Sequence, residues 1–347
     1  MNQTLTNYTC SDVSQTRLIQ RTSSLDVLKC FAAFFVVCIH CLGWGGKISP
    51  LIRCAVPLFF IITGYYYPNM IKGGRFWKHM QKLVTMAIFA TLFYGLWEFQ
   101  NVWRHGMFNE WLCNTFRLRH VVVEIIIFDN SIWGFHLWYF YAVIYDLLIL
   151  YCADKLHLAN WLKYATAVLF CVFCIINVTP IADHFFYTRN FLFMGLPCIM
   201  AGRWVKEQNE HFTKFFSSSR IWWTVFVGSF ILTIVEMLML RWLNIGNTMG
   251  VREMYIFTLP FLLSVFYWTL QHPSFGEGSI LATIGRKYSA YIYVFHPIVG
   301  NLICHFLHVE GPFEQLLLTI AIFIGSLLLS WAFCKTKDKM RGISFVS

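Results

Sequence analysis

The sequence predicts an all-α polytopic membrane protein with about ten transmembrane helices and both termini in the cytoplasm. Three observations support this: a low content of charged residues, a series of long apolar runs, and the placement of Lys and Arg between those runs. Of the 347 residues, 58% are hydrophobic and only 13% are charged, whereas a soluble domain carries about 25% charged residues. A water-soluble fold could not bury this much apolar surface, so the composition excludes an ordinary soluble domain.

The candidate helices are apolar runs separated by short polar breaks. Each has close to the length of about 20 residues that crosses a hydrocarbon core. The runs occupy residues 25–43, 52–68, 79–99, 132–152, 163–180, 190–205, 221–240, 254–271, 286–306 and 314–334. Between them, 100–131 is the least regular stretch, and its part 121–128 fits a short interfacial or re-entrant piece. The predicted organisation is a cytoplasmic tail (1–24), one transmembrane domain (25–334) and a basic cytoplasmic tail (335–347).

The orientation follows from the basic residues. The net charge is +10, which in a soluble protein would point to nucleic acid. Here the charge is scattered in short clusters between apolar runs. With the N-terminus inside and the spans alternating, most of the 27 Lys and Arg residues fall on the cytoplasmic side, as the positive-inside rule requires. We therefore expect a multi-pass protein of the cell membrane, partnered by the lipid bilayer and not by nucleic acid. The sequence leaves its oligomeric state open.

Three polar residues stand out in the first span. Asp26 and Lys29 are three apart and can pair on one face of a helix. His40 follows Lys29 by eleven residues, just past three full turns, so it lies on the same face and about 16 Å further along the axis. Ionisable groups inside a span are costly and are candidates for function. The competing interpretation is a His that a neighbouring helix satisfies and a Lys that extends to the interface.

The opening segment from Leu25 to His40 resembles the first motif of the acyltransferase 3 family of integral membrane O-acyltransferases, in which a basic residue precedes a His by eleven positions. Further segments resemble the family in the same order: AVPLFFIITGY at 55–65, RFWKHMQK at 75–82, FHLWY at 135–139, TRNFLFMGLP at 188–197 and YIYVFH at 291–296. Two departures concern charge. Lys29 stands where the family has Arg, and the family's R-x-x-R pair is represented by Arg75 and Lys78, with Lys82 one turn further on.

The resemblance implies transfer of an acyl group, most commonly acetyl, from cytoplasmic acyl-CoA to a hydroxyl of a carbohydrate, often a lipid-linked glycan of the cell envelope. It implies His40 as the catalytic base, because a neutral imidazole suits proton transfer near neutral pH. Asp26 and Lys29 would anchor this site. Cytoplasmic cations suit the phosphates of CoA, and the candidates are Arg75, Lys78 and Lys82. No metal is expected.

An acceptor pocket is predicted from polar and aromatic residues placed deep in the spans or on the outer side. Its candidates are His136, Trp138, Arg189, Glu236 and His296. His296 precedes Pro297, and a Pro inside a helix frees a backbone carbonyl that a His side chain or water can satisfy.

Each of these residues also has a structural interpretation. Basic residues at a cytoplasmic span entrance are ordinary positive-inside charge, and buried His, Arg or Glu can simply hold helices together. Two other functions stay open: a carrier of a small solute such as an amino acid, and an inactive membrane scaffold. An acyl-donor site open to the cytoplasm separates the enzyme from the carrier, because a carrier does not need one.

The topology can be tested at residue 110. In a background whose other accessible cysteines are replaced by Ser, Glu110→Cys should react with a membrane-impermeant maleimide in intact cells, because 100–131 is predicted to lie outside. Ser218→Cys, predicted to lie in the cytoplasm, is the matched control and should react only after permeabilisation. Labelling of position 110 only after permeabilisation would contradict the prediction of about ten spans.

Overall fold

The structure is a computed structural model that describes residues 22–41, 46–117, 122–123, 125, 131–245, 251–307 and 309–343. All regular secondary structure in these residues is helical. Residues 1–21 of the predicted N-terminal tail and most of 121–128 lie outside the described residues. At the other end, the predicted basic tail continues the last helix as far as Ile343.

The first helices are α1 (Ser23–Cys41), the short α2 (Ser49–Ile52), α3 (Ala55–Lys72), α4 (Phe76–Arg104) and α5 (Phe108–Thr115). A 3₁₀ turn, Phe135–Leu137, leads into α6 (Trp138–Lys155), and α7 (Ala159–Asn177) follows. After a π-helical segment, Phe191–Gly195, the chain forms α8 (Leu196–Glu207), α9 (Asn209–Phe216) and α10 (Ser219–Trp242). The last four are α11 (Thr258–Gln271), α12 (Ile280–Lys287), α13 (Ser289–Phe306) and α14 (Pro312–Ile343).

Seven helical stretches among the described residues are long and apolar enough to cross a membrane, which makes the chain a multi-pass membrane protein. They are Ser23–Cys41, Ser49–Lys72, Phe76–Arg104, Phe135–Lys155, Ala159–Asn177, Ser219–Trp242 and Pro312–Met340. The other three predicted spans also contain helices, α8, α11 and α13, of 12, 14 and 18 residues. Helices α8 and α11 are short, and α13 carries polar side chains such as His296. Ten crossings and cytoplasmic termini therefore stay predictions.

Both ends of the described chain lie at one end of the bundle. Gly285 of α12 packs so closely on α1 that an added Cβ would lie 1.8 Å from the Asp26 carbonyl oxygen. Near the end of α14, Lys337 Nζ donates to Tyr291 Oη at the start of α13, at 3.2 Å. A chain that crosses the bilayer an even number of times must have both of its ends on the same side. We call this the N-terminal end of the bundle.

The most extensive contact between two of the described helices joins α3 to α8 and depends on two glycines. A Cβ on Gly64 would lie 1.9 Å from the Ile199 carbonyl oxygen, and a Cβ on Gly202 would lie 2.0 Å from the Ile61 carbonyl oxygen. Close backbone approach at small residues is the usual way helices associate in membranes, where burial of apolar surface gives no advantage over lipid. This contact holds α8, and the π-helical segment before it, against α3.

We therefore expect Gly64→Ala and Gly202→Ala to destabilise the protein. Overpacking costs about 1–3 kcal/mol even where side chains can adjust, and here the clash is with backbone. Thermal unfolding of the detergent-purified protein measures the effect. Gly228→Ala is the matched control, because Gly228 lies inside α10 with no atom within 4 Å of an added Cβ. It should be neutral or stabilise by roughly 0.5–1 kcal/mol; equal losses in all three variants would contradict the packing argument.

Candidate active site

A cavity of about 250 Å³ lies at the end of the bundle opposite the N-terminal end, where α1 ends and α3 and α6 begin. We call it the cavity end. Polar and charged side chains from distant parts of the sequence meet there. The lining residues are Val36, Ile39, His40, Arg53, Val56, Phe135, His136, Trp138, Phe185, Arg189, Met194, Glu253 and Tyr293.

His40 and His296 form the centre of this group. The centroids of their rings are 5.1 Å apart. His40 is exposed to the cavity, whereas His296 is completely buried on α13. The structure therefore brings together two histidines that are 256 positions apart in the sequence.

The tautomer of His296 follows from its neighbours. Pro297 removes the N–H that would otherwise bond to the Tyr293 carbonyl, and His296 Nδ1 lies 2.9 Å from that carbonyl oxygen, which is one of the two alternatives left open by the sequence. A carbonyl oxygen only accepts hydrogen bonds, so Nδ1 carries the proton and Nε2 carries the lone pair. His296 Nε2 is buried and has no hydrogen-bond partner among the described residues.

His136 closes one side of the cavity. Its ring lies 5.9 Å from that of His296 and 4.5 Å from that of Tyr94. Tyr293 Oη donates to the His136 carbonyl, and Tyr94 Oη donates to the Val294 carbonyl at 2.8 Å. These bonds tie the start of α6 to α4 and α13. His136 Nε2, like His296 Nε2, has no partner among the described residues.

Arg189 enters the cavity from the segment before α8. Its guanidinium carbon lies 4.0 Å from the ring centroid of Phe185 and 5.6 Å from that of Trp138. Asn190 shapes the turn: its side chain accepts from Phe193 N at 2.8 Å and donates to the Phe186 carbonyl at 2.9 Å. The π-helical segment begins here, and such segments occur frequently at functional sites.

Arg53 and Glu253 form an ion pair at the cavity, with Nη1 and Oε2 2.8 Å apart. Burial raises the pKa of the Glu253 carboxyl, but the positive charges of Arg53 and Arg189 outweigh this effect and hold the pKa below its usual range. Glu253 is therefore ionised at neutral pH. Sequence reasoning missed both residues as site residues and counted Arg53 only as an outer-side charge, because partners 200 positions apart give no local signal.

The other predicted polar cluster lies at the N-terminal end. Lys29 Nζ is 3.3 Å from Asp26 Oδ1, which confirms the predicted pair, and it lies 5.6 Å from the centroid of the Tyr66 ring. On α4, His79 lies within electrostatic range of Lys29 and Lys82. Arg75, Lys78 and Lys82 are all exposed at the start of this helix. Asp26 and Lys29 thus lie at the opposite end of α1 from His40, and Lys29 lies near His79 of α4.

Glu236 does not line the cavity. Its carboxylate accepts from Asn177 Nδ2 at 3.0 Å and from the backbone N of Ile256 at 2.9 Å. It joins α10 to α7 and to the segment before α11. The other four predicted acceptor residues, His136, Trp138, Arg189 and His296, lie at or against the cavity. Within the described residues, no group of three or more His, Cys, Asp or Glu side chains could hold a metal ion.

Comparison with known proteins identifies the family of the chain. The model of a membrane-protein family described as an acyltransferase domain, acyltransferase 3, matches residues 22–335. One curated relative, an amino-acid racemase of Enterococcus faecalis, is 26% identical over 148 residues. That alignment covers 37% of this chain and 19% of the racemase, so this chain spans about a fifth of that relative's length. No solved structure matches the chain.

Proposed function

The chain belongs to the acyltransferase 3 family and is a membrane acyltransferase, and from that premise we propose that it is an O-acyltransferase whose acceptor reacts at His40. The observation that supports this most directly is the pair of His40, exposed to the cavity, and His296, whose Nε2 lone pair is set by its neighbours. Membership of an acyltransferase family also favours an enzyme over a solute carrier or an inactive scaffold.

The donor in this proposal is an acyl-CoA, most simply acetyl-CoA, bound at the N-terminal end of the bundle on the cytoplasmic side of the cell membrane. Lys29 and Lys82 bring positive charge from α1 and α4 to this end, and Arg75 and Lys78 extend it outward. Such charges suit the phosphates of CoA. Asp26 holds Lys29 in position here, so both act in donor binding and not in proton transfer at His40.

The reaction is transfer of an acyl group from sulfur to oxygen. His40 takes the proton of the acceptor hydroxyl as its oxygen attacks the thioester carbonyl carbon. When the C–O bond has formed and the C–S bond breaks, the proton passes to the sulfur of CoA. Arg189 supplies positive charge for the oxygen of the tetrahedral intermediate, and stacking on Phe185 and Trp138 holds it in place.

The acceptor in this proposal is a hydroxyl of a carbohydrate or lipid-linked glycan at the cavity end. A cavity of about 250 Å³ has room for the reacting part of one sugar and not for a whole glycan. His136 and Trp138 form the wall on which that sugar would rest.

The central experiment replaces the two histidines. His40→Ala should lower acyl transfer by about 10²- to 10⁴-fold, the usual loss when a general base is removed, while the protein stays folded. His296→Ala should also lower it, because the neighbouring imidazole is lost from the cavity. Turnover of acetyl-CoA by the purified protein in nanodiscs, followed by release of free thiol, measures both variants.

His305→Ala is the matched control, because His305 is exposed at the end of α13 and does not line the cavity. It should turn over like the unaltered protein. If His40→Ala kept full turnover and His296→Ala abolished it, the base would be His296. If the unaltered protein turned over no acyl-CoA, the proposed donor would be wrong.

The donor site is tested separately. The double variant Lys78→Ala/Lys82→Ala should bind CoA about 2- to 30-fold more weakly, because each exposed ion pair contributes about 0.2–1 kcal/mol. Calorimetric titration with CoA at low ionic strength measures the affinity. Lys214→Ala/Arg220→Ala removes the same charge from the α9–α10 region, on the side predicted to be cytoplasmic, and should bind CoA normally. Equal affinity in both double variants would assign Lys78 and Lys82 to membrane topology alone.

A further inference from the structure

A second cavity, of about 400 Å³, opens beside the ends of α4 and α5. Two indole rings dominate it: Trp111 and Trp133 are stacked with centroids 6.0 Å apart and planes 18° from parallel. Both are only half-buried. The remaining lining residues are Glu98, Asn114, Thr115, Arg117 and Ile132. We call this the tryptophan cavity.

The polar groups of the tryptophan cavity surround its aromatic surface. A carboxylate, an amide, a hydroxyl and a guanidinium come from Glu98, Asn114, Thr115 and Arg117. The indole Nε1–H of Trp133 is buried and has no acceptor among the described residues. A buried donor without an acceptor is costly, so a ligand that supplies acceptors would be stabilised here.

This combination suits one class of ligand. A sugar ring has a C–H face that packs on aromatic rings and a rim of hydroxyl groups that both donate and accept hydrogen bonds. Indole gives a large apolar face with a donor at its edge, and the carboxylate, amide and hydroxyl supply the complementary polar groups. A purely apolar ligand would offer no hydrogen-bond partner to these groups or to the Trp133 N–H.

The tryptophan cavity is joined to the cavity of His40 by one short segment. Ile132 and Trp133 line the former, and Phe135 and His136 line the latter. Between them, Gly134 has a φ of +79°, a conformation that favours glycine. Trp133 is also pressed onto α4, since a Cβ on Gly95 would lie 2.5 Å from its ring. The two cavities are therefore lined from the same short segment, on either side of Gly134.

We infer that the tryptophan cavity is a carbohydrate subsite that holds a sugar ring of the acceptor next to the one that reacts at His40. The inference rests on the proposed function for its role in acyl transfer. Binding of the sugar itself needs no acyl donor, so it can be measured independently.

The test is saturation-transfer NMR on the full chain in nanodiscs, without any acyl-CoA, with methyl β-glucoside, methyl β-galactoside and methyl β-N-acetylglucosaminide as probes. At least one probe should receive saturation, concentrated on the C–H protons of one ring face. Trp111→Ala should weaken its binding about tenfold, the loss expected for one aromatic contact. The matched control is Trp103→Ala: Trp103 is exposed in the same aromatic region but does not line the cavity.

Binding that is lost in Trp111→Ala and kept in Trp103→Ala supports the subsite. The absence of binding for all three probes, or equal losses in the two variants, would overturn it. Thermal unfolding of each variant shows whether it is folded, and Asn114→Ala, an exposed polar change, gives a second reading if Trp111→Ala does not fold. Since no donor is present, these outcomes are independent of acetyl-CoA turnover, on which the proposed function depends.

Discussion

A polar group inside a membrane bundle must find its partner within the protein, because the surrounding lipid offers none. Most of the polar contacts in this chain follow from that constraint. Arg203 bonds to Asp154 and Glu207, Glu236 bonds to Asn177 and the Ile256 backbone, and Arg252 bonds to Asp183. Apart from the Arg203–Glu207 bond within α8, these contacts join segments that are distant in the sequence.

Against this background, two buried imidazole nitrogens stand out, His136 Nε2 and His296 Nε2, which have no partner among the described residues. Both belong to the group of rings around the cavity. His296 Nε2 carries a lone pair, because its Nδ1–H donates to the Tyr293 carbonyl, and a buried lone pair without a donor raises the energy of the empty site. A substrate hydroxyl that donates to it recovers that energy on binding, so the same feature that costs stability favours the acceptor.

The two ends of the bundle carry different kinds of charge. At the N-terminal end, the exposed cations all belong to α4, so their relative positions follow from their spacing along that one helix. At the cavity end, Arg53 is matched by Glu253, and Arg189 is stacked among aromatic rings. Along α1, Lys29 and His40 are about 16 Å apart. A donor that binds its phosphates at one end must therefore extend its acyl group through the bundle to reach the other.

How much of this could be predicted depends on the range of each interaction. The Asp26–Lys29 pair follows from a spacing of three residues on one helix; it was predicted and is present. Pro297 indicated a freed carbonyl that a His side chain or water could satisfy, and the structure shows that His296 does so. The helices were predicted because hydrophobicity is a local property. The seven clearest spans are the longest and most apolar, whereas α8 and α11 are too short for length and composition to decide.

Contacts between distant segments could not be predicted in the same way. The Arg53–Glu253 pair links residues 200 positions apart, and its members look individually like ordinary outer-side charges. Glu236 was predicted to line the acceptor pocket because a Glu inside a span is rare, but rarity indicates only that a partner exists. The partners, Asn177 and the Ile256 backbone, become visible only when α7, α10 and α11 are packed together.

The segment 131–136 shows how backbone shape transmits these constraints to the site. Ser131 is held to α4 by Thr91, whose Oγ1 lies 3.1 Å from Ser131 Oγ. Gly134 then turns the chain. A Cβ added at Gly134 would lie only 3.0 Å from the Tyr94 ring and 3.2 Å from the His136 ring. A side chain at this position would push His136 away from His296 and shift Trp133 on α4. The geometry of the histidine cluster and of the tryptophan cavity therefore depends on the same turn, and neither can change without the other.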